Sequence, residues 1–189
     1  MSCGWDMVEG VNKKVIKELF EWIKDILIAG LATLFIINFL FQNTQVIGNS
    51  MEPSLQDGNS IIINKLVYRL KVPQRGDIIA FKNPDNPSEH YIKRIIGIPG
   101  DTIEIKEGKV YLNGNLLEED YILEPMDISI IGNMDYPVLV SEDNYFVMGD
   151  NRNISYDSRY KDIGLVNKSS ITGKGLIRIW PLNKIGIVK

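Results

Sequence analysis

No charged residue occurs between Ile26 and Phe41. An apolar run of that length leaves three choices: a membrane span, a cleaved leader, or a helix buried in a soluble core. The run is somewhat shorter than the ~20 residues that cross a bilayer as a helix. Extension back through Trp22-Ile23 and forward to Gln42 reaches that length. Lys24 and Asp25 would then lie at the interface, where a lysine can snorkel and Trp22 is well placed. A leader has a shorter apolar region, ~7–15 residues, and ends in a small-x-small site. Phe39-Leu40-Phe41-Gln42-Asn43-Thr44-Gln45 offers no such site. The expected organisation is therefore a cytoplasmic segment over 1–21, a transmembrane anchor over 22–42, and an extracytoplasmic domain over 43–189.

Basic residues orient the span. Lys13, Lys14, Lys17 and Lys24 precede it, and the first one after it is Lys65. Excess positive charge stays in the cytoplasm, which places the N-terminus inside and the large domain outside. Acidic neighbours (Glu9, Glu18, Glu21, Asp25) count little in this rule. Val15, Leu19 and Trp22 recur at helical spacing, so the helix is expected to continue toward Val11.

About 145 residues follow the run, enough for one domain with its own core. A net charge of −3 gives no nucleic-acid footprint. Cys3 is the single cysteine, so no intrachain disulfide can form, and the single histidine, His90, rules out a multi-histidine metal site within one chain. No cofactor is called for.

The remainder reads as mainly β. Short β-branched runs occur at Ser60–Asn64, Ile78–Phe81 and Tyr91–Ile98, with turn signals at Pro73-Gln74-Arg75-Gly76-Asp77 and Pro99-Gly100-Asp101. Thr102–Ile105 alternates. Val110–Leu112 and Leu116-Leu117 flank Asn113-Gly114, a strong hairpin signal. Val138–Val140, Tyr145–Met148 and Leu176–Trp180 complete the set. Many short strands with Gly/Pro/Asn turns predict a barrel-like β-domain. A smaller excursion, with an inserted hairpin region, is expected over 102–144, and its Asp120–Tyr136 stretch reads as loop.

Two residue types suggest chemistry. Ser50 lies nine residues beyond Phe41 in Gly48-Asn49-Ser50-Met51-Glu52-Pro53-Ser54-Leu55. A serine hydroxyl is a weak nucleophile without a neighbouring base. Lysine can be that base if its amine is neutral, which burial in apolar surroundings favours. Lys93 shares a strand face with Tyr91 and Ile95. Arg94 shares the other with Ile92 and Ile96, so alternation alone does not choose between the two cations, although arginine stays protonated. Taken one at a time, these are ordinary features: a turn serine and solvated strand charges.

Together they form a series. Ser50–Leu55, Arg75-Gly76-Asp77-Ile78-Ile79-Ala80-Phe81, Tyr91–Asp101 and Gly149-Asp150-Asn151-Arg152-Asn153-Ile154-Ser155-Tyr156-Asp157-Ser158-Arg159 follow the apolar run in order. In these four segments the chain resembles bacterial type I signal peptidases of the short, single-anchor form. The resemblance implies the β-domain of that family. It implies that Ser50 is the nucleophile, Lys93 the general base and Ser155 the residue that orients the lysine. Asp150, Asp157 and Arg159 match a structural ion-pair group. The Ser50 N–H matches one oxyanion donor. Gly48 stands where some relatives place a serine hydroxyl as the second, which puts that donor in doubt.

The resemblance also implies an endopeptidase that removes signal peptides from exported preproteins after small-x-small sites, at the cytoplasmic membrane and near the secretion translocase. A dedicated peptidase with one substrate and a non-catalytic signal-peptide-binding relative are the alternatives. An extended substrate could pair beside Val46-Ile47 and Tyr91-Ile92. Met51 is expected either at the lipid surface or in the core. Trp180-Pro181 is expected to close a strand and pack on the barrel, and Glu118-Glu119-Asp120 to be a solvated hairpin flank. His90 is not expected to be catalytic.

Overall fold

The computed structural model describes the backbone of residues 3–188 and side-chain surroundings over 15–188. The side chains of Cys3, Lys13 and Lys14 lie outside the described residues. The chain forms two units, residues 1–40 and 41–189. The first is one helix, α1 (Cys3–Leu40). Its Val15–Leu40 stretch has a mean hydropathy of 1.9 and is long and apolar enough to cross a membrane. Phe41 and Gln42, expected to end this helix, instead open the first strand.

The second unit is mainly β and antiparallel throughout. In chain order its elements are β1 (Phe41–Gln45), β2 (Ser60–Asn64), the single turn α2 (Val67–Leu70), β3 (Ile78–Lys82), β4 (His90–Gly97), β5 (Thr102–Lys106), β6 (Lys109–Leu112), β7 (Asn115–Leu116), β8 (Val138–Leu139), β9 (Asn144–Met148), β10 (Val166–Asn167), β11 (Ile171–Trp180) and β12 (Gly186–Ile187). The large sheet runs β1-β2-β11-β3-β4-β9-β10, with β12 added beside β11. The small sheet runs β7-β6-β5-β8, so the excursion is a sheet of its own. Asn113-Gly114 turns β6 into β7, as the hairpin signal predicts.

Three apolar clusters hold the β-unit. One packs Val46, Met51, Leu55, Ile61, Ile63, Ile78, Ala80 and Ile92 under the Ser50 loop. A second joins β3, β4 and β9 through Ile79, Phe81, Ile95, Tyr145 and Val147. The third locks the small sheet onto the large one: Ile103, Ile105, Val110 and Val138 meet Ile96, Phe146 and Met148. Each fully buried side chain of this size contributes roughly 2 kcal/mol. Strand β4 touches all three clusters, so its residues are held on both faces. Two expectations fail here. Trp180 does close β11, but it is exposed. Glu119 is buried.

Candidate active site

The loop between β1 and β2 presents Ser50. Asn49 O accepts from Glu52 N at 3.1 Å and Met51 O accepts from Leu55 N at 2.8 Å, which coil the segment into tight turns. Met51 and Leu55 are sunk in the core and act as its pins. Met51 is therefore a core residue, not one resting in lipid.

Lys93 lies in mid-β4, opposite Ile79 of β3. Its side chain is 4% exposed, and Nζ lies 2.7 Å from Ser50 Oγ. The Tyr91 ring centroid is 5.6 Å from Nζ, on the face that strand alternation assigns. Among the described residues no carboxylate comes within ion-pair distance of Nζ. Burial pushes the amine down from 10.5 to about 8; Asp157 and Asp150 pull it back up and Arg159 pushes it further down. An amine with that value is about half neutral at pH 8 and about one-tenth neutral at pH 7, against roughly one in a thousand or fewer for an ordinary lysine. The protonated amine donates to Ser50 Oγ across this 2.7 Å contact; in the neutral amine the direction reverses and the Ser50 hydroxyl donates to the nitrogen lone pair.

A cavity of about 90 Å³ adjoins these two groups and is lined by Val46, Ile47, Met51, His90, Tyr91 and Ile92. The structure thus gathers all five expected substrate-contact residues around one small space, with His90 at its wall. A larger cavity, about 580 Å³, lies elsewhere, at Lys65, Tyr68, Arg69 and Lys168.

The loop from Gly149 to Arg159 closes the other side. Asn151 N donates to Ser50 O at 3.1 Å. A Cβ on Gly149 would lie 2.3 Å from both Ser50 O and Ser155 Oγ, so only glycine permits this approach. Ser155 is thereby brought beside the Ser50 backbone. Its hydroxyl is buried and makes no hydrogen bond of normal geometry among the described residues, although it lies near enough to Asp157 to help stabilise that carboxylate. The expected bond from Ser155 to Lys93 is absent in this state.

No hydrogen bond from the Ser50 N–H is made among the described residues, whereas Gly48 N donates to Asp57 Oδ1 at 2.7 Å. Gly48 thus offers neither a hydroxyl nor a free N–H for an oxyanion.

The three ion-pair residues are not one group. Arg159 grips Asp157, with Nε 2.8 Å from Oδ1, and both are fully buried. Burial alone would raise the Asp157 carboxyl, but the Arg159 charge and hydrogen bonds outweigh it and hold it below the ordinary carboxylate range. Asp157 Oδ2 accepts from Gly149 N at 2.9 Å. Asp150 pairs instead with Arg94, a residue sequence reasoning left as an unresolved strand charge. Arg94 Nε and Nη2 donate to the two Asp150 oxygens at 2.8 and 2.6 Å, and Nη2 also donates to Ser54 Oγ at 3.1 Å. The signal available was the position of Arg94 between Ile92 and Ile96: a guanidinium on an apolar face requires a buried anion.

Residues 19–180 match the family described as signal peptidase, peptidase S26. A signal peptidase I of Bacillus licheniformis is 39% identical over 183 residues, covering 94% of this chain and 96% of that one. Signal peptidase I S of Bacillus subtilis is 38% identical over 183 residues, covering 94% and 96%. A crystal structure of a signal peptidase I from Enterococcus faecalis is 38% identical, with a TM-score of 0.46 and coverage of 55% of this chain and 97% of that one. The chain belongs to the signal peptidase family. It is an enzyme of the signal peptidase I type, whose substrates are preproteins carrying signal peptides.

Proposed function

We propose that this enzyme is a membrane-anchored serine endopeptidase working through Ser50 and a neutral Lys93. The observation that carries the reading is the 2.7 Å contact between Lys93 Nζ and Ser50 Oγ at a lysine that burial has pushed down to about 8. Lys93 takes the hydroxyl proton as Oγ bonds to the scissile carbonyl carbon. It returns that proton to the leaving amine nitrogen as the C–N bond breaks. A water, deprotonated by the same amine, then hydrolyses the ester and frees Ser50. The Ser50 N–H stabilises the oxyanion. Ser155 orients the lysine once substrate is bound, a role supported by its buried hydroxyl beside the Ser50 backbone.

The small cavity suits alanine-sized side chains, which supports cleavage after small-x-small sequences. An extended substrate would lie against Val46-Ile47 and Tyr91-Ile92. The described part of α1 supports the anchor reading: its large apolar side chains, such as Trp22 and Phe35, are exposed, with no protein covering them. In this reading α1 spans the cytoplasmic membrane once. The N-terminal segment lies in the cytoplasm, the β-unit works outside as the catalytic domain, and the translocase delivers preproteins nearby.

The test is cleavage of a purified preprotein by the full chain in lipid vesicles. Ser50→Ala and Lys93→Ala should each lose at least about 10³-fold in kcat with the fold kept. Normal turnover in Lys93→Ala would sink the dyad. A panel of unrelated preproteins separates general processing from service to one substrate.

A further inference from the structure

Beyond the dyad, Glu119 and Tyr121 tie the segment that follows the small sheet to the two buried guanidinium groups behind the nucleophile. Arg152 is 1% exposed, and its Nε donates to Gly149 O at 3.0 Å. Its other guanidinium nitrogens form a forked pair with Glu119, which follows the β7 segment; the Nη1 bond is 2.8 Å. Tyr121 OH donates to Glu119 Oε1 at 2.8 Å, and the Tyr121 ring lies 4.1 Å from the Arg94 guanidinium carbon. One tyrosine therefore touches both buried pairs. Arg94 bonds Asp150 and the nucleophile loop at Ser54. Arg152 bonds the carbonyl of the glycine that lies against Ser50 O and Ser155 Oγ.

We propose that Glu119 and Tyr121 are positioning residues, a strap that clamps Arg152 and Arg94 and so holds the Gly149–Ser155 loop against the Ser50 backbone. Neither touches the reacting atoms. Their effect passes through two guanidinium groups to Gly149, Asp150 and Ser54, and from there to the spacing of Ser50, Lys93 and Ser155. The inference rests on the Ser50/Lys93 reading. A displacement of about 1 Å in such a constellation can cost on the order of 100-fold in rate. The substrate-side cavity at Val46, Ile47, Tyr91 and Ile92 shares no residue with the strap. Loosening the strap should therefore lower kcat and leave KM in place. Ser50, Tyr91 and His90 line the cavity beside Lys93, and the charges that act on its amine are those of Asp157, Arg159 and Asp150 on the loop. Moving that loop should also displace the rising limb of the pH–rate profile.

The experiment compares Glu119→Gln, Glu119→Ala and Tyr121→Leu in the full chain, with kcat counted per folded molecule. Expected are kcat losses of roughly 10- to 100-fold for Glu119→Ala and Tyr121→Leu at constant KM, and a displaced pH limb. Glu119→Gln, which keeps part of the fork, should lose less than Glu119→Ala. If Glu119→Ala does not fold, Tyr121→Leu and Glu119→Gln decide. A kcat within twofold of the parent with an unmoved limb overturns the strap, as does a rise in KM alone. Lys93→Ala in the same assay separates the failures. If it is inactive while the strap variants match the parent, only the strap falls. If it turns over normally, the dyad itself falls.

Discussion

Two regions of this protein bury cations, and they do so in opposite ways. In the cavity at Lys93 the amine has an apolar wall, an aromatic ring and one hydroxyl, and no ion-paired carboxylate among the described residues. Around the adjoining loop each buried guanidinium has its own anion: Arg94 of β4 with Asp150, Arg152 with Glu119, Arg159 with Asp157. Burial with a counterion keeps the charge and builds structure. Burial without one makes the neutral form accessible, which is what a general base needs. Adjacent residues of one strand, Lys93 and Arg94, fall on opposite sides of this divide.

The sharpest way to break the comparison is to unbalance a pair. Asp157→Asn should cost about 3–5 kcal/mol in urea unfolding, because it strands Arg159 as an uncompensated charge in the interior. A loss below ~1 kcal/mol would show that the pair is solvated and the contrast false.

At Lys93 the sign reverses. Its folded pKa, about 8, lies below the ordinary 10.5. Between those values the unfolded chain binds more protons, so stability rises with pH through that window and the full penalty applies below about 8. Lys93→Met, which removes the amine and keeps the stem, should therefore be more stable at pH 7 by about 3 kcal/mol. The gain should shrink as pH approaches 10.5, a trend that paired urea titrations at pH 7 and 10 would show. Equal stability at both pH values would remove the neutral-amine argument.

Catalysis reports the same group. Below about pH 8 single-turnover cleavage should fall close to tenfold per pH unit as Lys93 protonates. A rate flat down to pH 6 contradicts a lysine base. The smallest effect belongs to Gly48, whose backbone φ is +83°. A methyl group there meets nothing within 4 Å, so Gly48→Ala should cost about 1–2 kcal/mol through the left-handed conformation alone. A larger loss of kcat than of stability would assign the glycine a part in the chemistry.

Most of the large sheet was legible because its strands carry their own signal. Ser60–Asn64, Ile78–Phe81 and Tyr145–Met148 are β-branched or aromatic runs bounded by turn residues, and each is a strand. β1 was not, because Phe41-Gln42-Asn43-Thr44-Gln45 is polar and joins the sheet only through its pairing with β2. β10 and β12, two residues each, are likewise defined by their partners. Trp180 and Glu119 misled for the same reason. Local composition does not say what a later segment will cover.

The order of an apolar helix, a serine loop, a lysine strand and a Gly-Asp-rich loop was in the residues themselves, because hydropathy, turn chemistry and residue type are local properties. Arginine's exclusion as a base was local too, since a guanidinium stays protonated; that Lys93 would be buried beside Ser50, with no paired carboxylate among the described residues, was not. Lys93 and Arg94 are neighbours in sequence, and their fates depend on Ser50, 43 residues away, and on Asp150, 56 residues away. Electrostatic energy in a low-dielectric interior is set by distance through space, and only the closed fold supplies that distance.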